Sequence, residues 1–180
     1  MQTITFVTGN KAKAEQLSIY LAIPLLHHTL DLPEIQSLDL AEIVHSKTMA
    51  AYQILSTPVL VEDVGLSFEA YNKLPGTFIK WFLQELGNEG LCKMVEYTSR
   101  KALAQVLFGL YDGENYTTFF GETKGSISHT PKGEHGFGWD SLFIPDGSSK
   151  TWAEMDNQER SETSMRRGAL QKLAKFLKEK

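Results

Sequence analysis

The stretch from Lys101 to Ser128 constrains the fold of this 180-residue chain more than any other segment. It reads KALAQVLFGLYDGENYTTFFGETKGSIS, with two long runs rich in apolar, aromatic and β-branched residues on either side of Asp112-Gly113-Glu114-Asn115. Because Asp, Gly and Asn favour tight turns, the pattern predicts two long antiparallel strands joined at those four residues. The fold must therefore include a sheet that is at least partly antiparallel.

Strands and helices alternate around this hairpin. Further strands are predicted at Ile4–Val7, near Leu25–Leu30, at Val59–Val61 and after the glycine-bracketed segment HGFGWDSLFIPDG. Helices are predicted over about Lys13–Leu21, about Asp39–Leu55, the segment TFIKWFLQEL, and from about Ser161 to the end. This alternation predicts a single α/β domain over residues 1–180, with a mixed sheet flanked by helices.

Composition and patterning exclude several classes of protein. No segment has the roughly 18 apolar residues of a membrane span, and no signal-peptide pattern precedes the first strand, so we expect a soluble, unprocessed protein. The net charge of −4 argues against a large nucleic-acid surface. Cys92 is the single cysteine and cannot form an intramolecular disulfide, which favours the cytoplasm. The five histidines lack the spacing of a zinc-binding helix, and we interpret them as non-ligands.

The segment TITFVTGNKAKAEQL predicts a strand that turns into a helix through Thr8, Gly9 and Asn10. Backbone N–H groups at a helix start carry partial positive charge and can receive an anion, and Lys13 would add a full charge. The segment is not a Walker loop, because the second glycine and the Lys-Ser/Thr ending are missing. An ordinary turn in which Asn10 caps the helix remains the alternative.

Two carboxylates are candidates for binding a hard metal ion. Asp63 follows an apolar strand in LVEDVG, and Glu34 lies in the extended segment LPEIQ. Mg²⁺ binds to one or two carboxylates together with phosphate oxygens and water, so these two side chains would be sufficient as the protein ligands of the ion. The alternative is two unrelated surface carboxylates.

The segment GFGWD offers a different kind of site. Glycines flank Phe137 and separate it from Trp139, and free aromatic faces suit the stacking of a nucleotide base. A tight turn whose aromatic side chains anchor the loop to the core explains the same pattern. Basic residues cluster near the last helix, at Arg160, Arg166 and Arg167, where solvated surface positions are the usual outcome.

Taken together, the motifs TGNKAK, LPEIQ, LVEDVGLSFEA, LPGTFIKWFLQEL, GFGWDSLF and SMRRGAL resemble those of the inosine triphosphate pyrophosphatase family. They occur in order and cover nearly the whole chain. The resemblance implies an elongated, twisted mixed sheet in two lobes with a central nucleotide cleft, usually in a homodimer. It also implies hydrolysis of noncanonical purine nucleoside triphosphates, namely ITP, dITP and XTP, to the monophosphate and pyrophosphate, which cleanses nucleotide pools.

The same resemblance implies roles for individual residues. Those that would hold the triphosphate are Thr8, Gly9, Asn10 and Lys13, and basic phosphate or nucleotide contacts fall on Lys47 and Lys80. Glu34 and Asp63 match the acids that bind Mg²⁺, with Mn²⁺ as the alternative ion, and Asp63 also matches the general base. The base pocket would include Phe137, Gly138, Trp139 and Asp140, and the closing C-terminal segment Arg160 and Arg166.

Three positions of the proposed substrate site depart from the family pattern. Val64 stands where the family usually has Ser or Thr, and Arg160 replaces a common Lys. Met165 replaces a His, which affects base selectivity more than hydrolysis; alternatively Met165 simply packs, because it shares an apolar helix stripe with Ala169 and Leu173.

Two other functions remain open from the sequence. One is a nucleotide-binding sensor of the same fold without turnover, against which the retention of Glu34, Asp63 and Lys13 argues. The other is a pyrophosphatase of related fold acting on modified pyrimidine nucleotides, which the absence of that group's Ser-x-x-Arg-Arg start disfavours.

Overall fold

A computed structural model describes residues 3–9, 13–14, 17, 20–21 and 25–179 of the chain. Its strands are β1 (Ile4–Val7), β2 (Leu25–His28), β3 (Val59–Phe68), β4 (Pro75–Gly76), β5 (Lys101–Tyr111), β6 (Tyr116–Ile127) and β7 (Phe143–Pro145). Its helices are α1 (Leu40–Leu55), α2 (Ile79–Met94), α3 (Asn157–Thr163) and α4 (Met165–Glu179), with a 3₁₀ turn at Glu69–Tyr71. The described residues between 13 and 21 are also helical, and the rest of the helix predicted there lies outside the described residues.

The described strands form one seven-stranded sheet in the order β2-β1-β3-β5-β6-β7, with β4 paired to β3. β1 runs parallel to both β2 and β3, whereas β4 is antiparallel to β3 and β7 is antiparallel to β6. The sheet is therefore mixed, which confirms the predicted α/β class. At the predicted hairpin turn, the Asp112 carboxylate accepts from the backbone N–H groups of Glu114 and Asn115 at 3.0 and 2.8 Å.

The prediction that a short strand ends at the acidic pair was wrong. β3 continues from Val59 to Phe68, so Glu62 and Asp63 lie inside it. Only its pairing with β1 ends earlier, at Val7 opposite Val61. The chain stays extended because residues further along β3 pair with β4, where Leu66 lies opposite Gly76. The acids therefore lie on rigid strand backbone just past the last residue that pairs with β1.

The C-terminal helix also differs from the prediction, because it begins earlier and is broken. Asp156 caps α3, and Ser164 has extended backbone angles, φ −67° and ψ 136°, between α3 and α4. The predicted apolar stripe on α4 is present. Met165, Ala169 and Leu173 are buried, and the Phe176 ring meets Phe119 edge to face at 5.4 Å.

The chain divides into two compact units. The first contains the described residues up to Asp63, together with Val106–Phe120 and the chain from Gly168 onward. Its core includes Val7, Ala51, Val59 and Val61. The second contains Val64–Gln105 and Gly121–Arg167, and its core includes the packed rings of Trp139, Phe143 and Trp152.

Candidate active site

In the first unit, one lysine joins the two predicted metal-binding acids. The ammonium of Lys47 donates to Glu34 Oε1 at 2.7 Å and to Asp63 Oδ2 at 2.8 Å. Lys47 lies on α1, Asp63 on β3, and Glu34 in the segment between β2 and α1. We call these three residues the acid-lysine cluster. The structure thus brings together two acids from separate motifs and a lysine that was assigned through the family resemblance.

The electrostatics of the acid-lysine cluster keep Lys47 charged. Burial of the ammonium lowers the pKa of Lys47, but the charges and hydrogen bonds of Asp63 and Glu34 more than offset this, so the net pKa shift is upward. The side chains of Lys47 and Asp63 are only 14% and 24% exposed, so solvent screens their attraction weakly. Two carboxylates therefore face one largely buried positive charge.

A second lysine of the first unit pairs with an acid that the sequence analysis did not assign to the site. Lys13 Nζ lies 3.2 Å from Glu62 Oε1, and the Glu62 side chain is only 2% exposed. Glu62 and Asp63 are neighbours on β3, and successive side chains of a strand point to opposite faces. Glu62 and Asp63 therefore pair with two different lysines. Their adjacency within a predicted strand was the sequence feature that could have indicated a second pair.

The backbone around Thr8 and Gly9 is held by β2. Thr8 N–H donates to the carbonyl of His28 at 3.1 Å, and the Thr8 carbonyl accepts from His27 Nε2 at 2.8 Å. Because a carbonyl only accepts, His27 must carry its proton on Nε2. A side chain at Gly9 would meet no described atom within 4 Å, so the backbone is accessible on that side. Asn10 lies outside the described residues.

In the second unit, the GFGWD loop, residues 136–140, is fixed by its own aspartate. The backbone N–H of Phe137 donates to Asp140 Oδ2 at 2.9 Å, and Arg160 on α3 forms an ion pair with the same carboxylate. Gly136 has φ 83°, and a Cβ there would overlap the Asp140 carboxylate, so this position requires glycine. Asp140 therefore links the loop to α3.

The two aromatic residues of the GFGWD loop differ in their contacts. Trp139 is 8% exposed, and its ring centroid lies 5.6 Å from that of Trp152 and 5.9 Å from that of Phe143. Packing of this kind fits the anchoring alternative for Trp139. The half-buried ring of Phe137 instead meets the guanidinium carbons of Arg160 and Arg166 at 5.7 and 5.9 Å from its centroid. Phe137, Asp140, Arg160 and Arg166 thus form one group.

The remaining predicted site residues belong to neither of these two groups of interacting side chains. Lys80 lies near the start of α2, with its ammonium 5.4 Å from the ring centroid of Trp81. Val64 is half-buried on β3. Met165 is 2% exposed, a burial that fits the packing alternative. Within the described residues, there is no group of three or more His, Cys, Asp or Glu side chains that could hold a metal ion, and no helix has the length and apolarity to cross a membrane.

Comparison with known proteins gives a consistent result. A sequence model of the Ham1 family matches residues 4–176. The chain is 42% identical over 184 residues to the inosine triphosphate pyrophosphatase of Yarrowia lipolytica, covering 99% of this chain and 97% of that protein. It is also 42% identical over 172 residues to inosine triphosphate pyrophosphatase 2 of Trypanosoma cruzi, covering 93% and 88% of the two chains.

Solved structures with the same fold are also found. A HAM1 protein from Coxiella burnetii superposes with a TM-score of 0.87 at 23% identity, with both chains covered completely. The nucleoside-triphosphatase, or dITP/XTP pyrophosphatase, of Mycobacterium abscessus superposes with a TM-score of 0.73 at 25% identity, covering 95% of this chain and 98% of that one.

Proposed function

The chain belongs to the Ham1 family, and from that premise we propose that it hydrolyses ITP, dITP and XTP to the corresponding monophosphate and pyrophosphate. The resemblance found in the motifs is confirmed by this membership. The observation that carries the proposal is the acid-lysine cluster, in which Lys47 holds Glu34 and Asp63 together at 2.7 and 2.8 Å. A sensor without turnover is not favoured, because the relatives are named for catalysis.

The acid-lysine cluster fits a hard divalent ion. Glu34 and Asp63 come from separate segments, yet one oxygen of each reaches the same cationic nitrogen. We propose that these two carboxylates hold Mg²⁺, with Mn²⁺ as the alternative, since such ions bind to one or two carboxylates plus phosphate oxygens and water. When bound, the ion would neutralise phosphate charge and make its water more acidic.

The proposed reaction breaks one phosphoanhydride bond. A water oxygen attacks the α-phosphorus, its proton passes to the Asp63 carboxylate, and pyrophosphate leaves with the electrons of the broken bond. Lys47 and Lys13 offset negative charge on the triphosphate, which Thr8 binds through its hydroxyl and Gly9 through its backbone N–H. Lys80 supplies a further positive charge.

The GFGWD loop and its arginines account for the proposed base preference. Arg166, whose guanidinium lies 5.9 Å from the Phe137 ring centroid, can donate to a 6-oxo group. A 6-amino group would present a donor to that donor and leave both unpaired, which lowers affinity for ATP. Phe137 provides the aromatic face, and Asp140 holds Arg160 beside it.

The proposal extends to the setting in which the enzyme works. We place it in the cytoplasm, because its one cysteine, Cys92, is buried and has no partner for an intramolecular disulfide. The homodimer is proposed from the family resemblance alone, and gel filtration of the purified chain tests it.

Product analysis tests the function directly. Purified protein is incubated with ITP, XTP, dITP, GTP and ATP in the presence of Mg²⁺, and products are separated by ion-exchange chromatography. We expect ITP to give IMP and pyrophosphate in a single step, with ATP cleaved far more slowly. Early formation of IDP and free phosphate would show attack at the terminal phosphorus and contradict the mechanism.

A further inference from the structure

A backbone break in α2 brings an amide side chain to the GFGWD loop. Gly87 has φ 65° and ψ 177°, so the helix stops there and resumes with the next residue. A positive φ of this size is readily adopted only by glycine. The residue that follows, Asn88, donates from Nδ2 to the carbonyl of Gly138 at 3.0 Å. The break thus joins α2 to the middle of the loop.

The Asn88 amide has one orientation that fits this contact. Turning it over would place Oδ1 against the Gly138 carbonyl, and two acceptors would then face each other. In the observed orientation, Oδ1 is buried and has no hydrogen-bond partner among the described residues. A buried acceptor without a donor destabilises a fold, so stability alone does not explain the choice of Asn at this position.

The contact to Gly138 falls between two residues of the proposed base site. Gly138 has φ 65°, Phe137 on one side carries the ring that meets both arginines, and Trp139 on the other is anchored in the aromatic core. The Asp140 contacts fix Phe137 from within the loop and from α3. Asn88 adds a hydrogen bond from α2 to the Gly138 carbonyl.

We propose that Asn88 is a positioning residue, which holds the GFGWD loop in the geometry that discriminates 6-oxopurines from 6-aminopurines. The inference rests on the proposed function. Without the Asn88 hydrogen bond, the Gly138 peptide can rotate, and the Phe137 ring then shifts relative to Arg166. The preference for ITP over ATP should therefore narrow by about two- to tenfold, which is the range that one neutral hydrogen bond supports.

A pair of substitutions separates this role from an effect on helix stability. Asn88 is the first helical residue after Gly87, and its Oδ1 accepts no hydrogen bond from the described residues, so it does not cap the second segment of α2. At this position Asp is favoured by the partial positive charge of the helix start, and Ala has a high helix propensity. Helix stability alone therefore predicts that both Asn88→Asp and Asn88→Ala resemble the unmutated protein. Loop positioning predicts that Asn88→Asp is at least as impaired as Asn88→Ala, because its carboxylate faces the Gly138 carbonyl. Gln84→Ala, at an exposed amide on the same helix, is the matched control.

The measurements are the ITP/ATP ratio of kcat/KM, the dissociation constants of IMP and AMP by calorimetry, and the melting temperature. We expect a narrowed ratio in both Asn88 variants, mainly through KM for ITP, and an unchanged ratio in Gln84→Ala. Lower melting temperatures with an unchanged ratio, or an Asn88→Asp variant equal to the unmutated protein, would overturn the inference.

The design keeps failure of the inference distinct from failure of the proposed function. An unmutated protein that cleaves no triphosphate contradicts the proposed function, and the IMP and AMP affinities of the Asn88 variants then still test positioning. If the unmutated protein does not distinguish IMP from AMP either, the inference is overturned as well.

Discussion

At the residue scale, Asp63 carries two proposed tasks, metal binding and proton acceptance. Asp63→Asn keeps the side-chain volume and its place beside Lys47 but removes the charge, so we expect turnover to be lost while the fold remains. Steady-state kinetics with ITP measure the loss of turnover, and circular dichroism spectra check that the fold remains. Asp146→Asn, an exposed aspartate of the second unit, is the control. Near-normal turnover in Asp63→Asn would show that another group accepts the proton.

Lys47 supplies a prediction about stability and pH. Its pKa is raised above the ordinary 10.5, because Asp63 and Glu34 outweigh the lowering effect of burial. A raised pKa means that the stabilising contribution is complete below the unfolded value and is lost as pH rises through the folded one. Lys47→Met should therefore cost most stability near neutral pH and progressively less above about pH 10.5. Urea unfolding of both proteins from pH 7 to pH 11 measures this difference, and a constant difference would contradict the assigned charge state.

Met165 separates two explanations of a departure from the family pattern. Its side chain is 2% exposed on the apolar stripe of α4, so we expect Met165→His to lower the melting temperature and to leave the ITP/ATP ratio unchanged. If instead this position recognises the base, the new histidine would widen the ratio by a few-fold to about tenfold. Measuring both quantities on one variant distinguishes packing from recognition.

At the scale of elements, the start of α3 governs where Arg160 lies. The Asp156 carboxylate accepts from Glu159 N–H at 2.8 Å, and the Glu159 carboxylate accepts from Asp156 N–H at 3.1 Å, which forms a complete capping box. Asp156→Ala should cost about 1 kcal/mol of unfolding free energy and raise KM for ITP by loosening Arg160. Asp156→Asn retains an acceptor at the cap and is expected to stay closer to the unmutated protein. Calorimetric melting and ITP kinetics check both variants.

The boundaries of strands and helices were predicted correctly only where they depend on residues adjacent in sequence. The turn at residues 112–115 follows from residues adjacent in sequence, and it was predicted at the right place. β3 was predicted too short because its second half is held by β4, a pairing that the composition of VEDVG does not reveal. The break at Ser164 was missed for a similar reason: α3 and α4 have continuous helical composition, and the break depends on caps and distant contacts such as Thr123 with Thr163.

At the scale of the whole molecule, the candidate site was predicted through motifs rather than geometry. Glu34 and Asp63 were candidates from their chemistry and matched the family acids, Lys47 was assigned from the family resemblance alone, and the structure brings the three within hydrogen-bond distance. The pairs Lys13 with Glu62 and Asn88 with Gly138 were not foreseen. Both join residues about 50 positions apart, and such contacts depend on the packing of whole elements, which hydrophobic periodicity does not encode.

Chain connectivity makes a final prediction about the two compact units. Strands β3, β5 and β6 each pass from one unit into the other without leaving the sheet. The boundaries between the units thus fall inside regular strands and not in linkers, so we expect the chain to unfold as one cooperative domain. Tryptophan fluorescence reports on the second unit alone, because Trp81, Trp139 and Trp152 all belong to it. Far-ultraviolet circular dichroism reports on both units, and coincident urea transitions by the two probes are therefore expected. A fluorescence transition that precedes the loss of secondary structure would show that the units are separate domains.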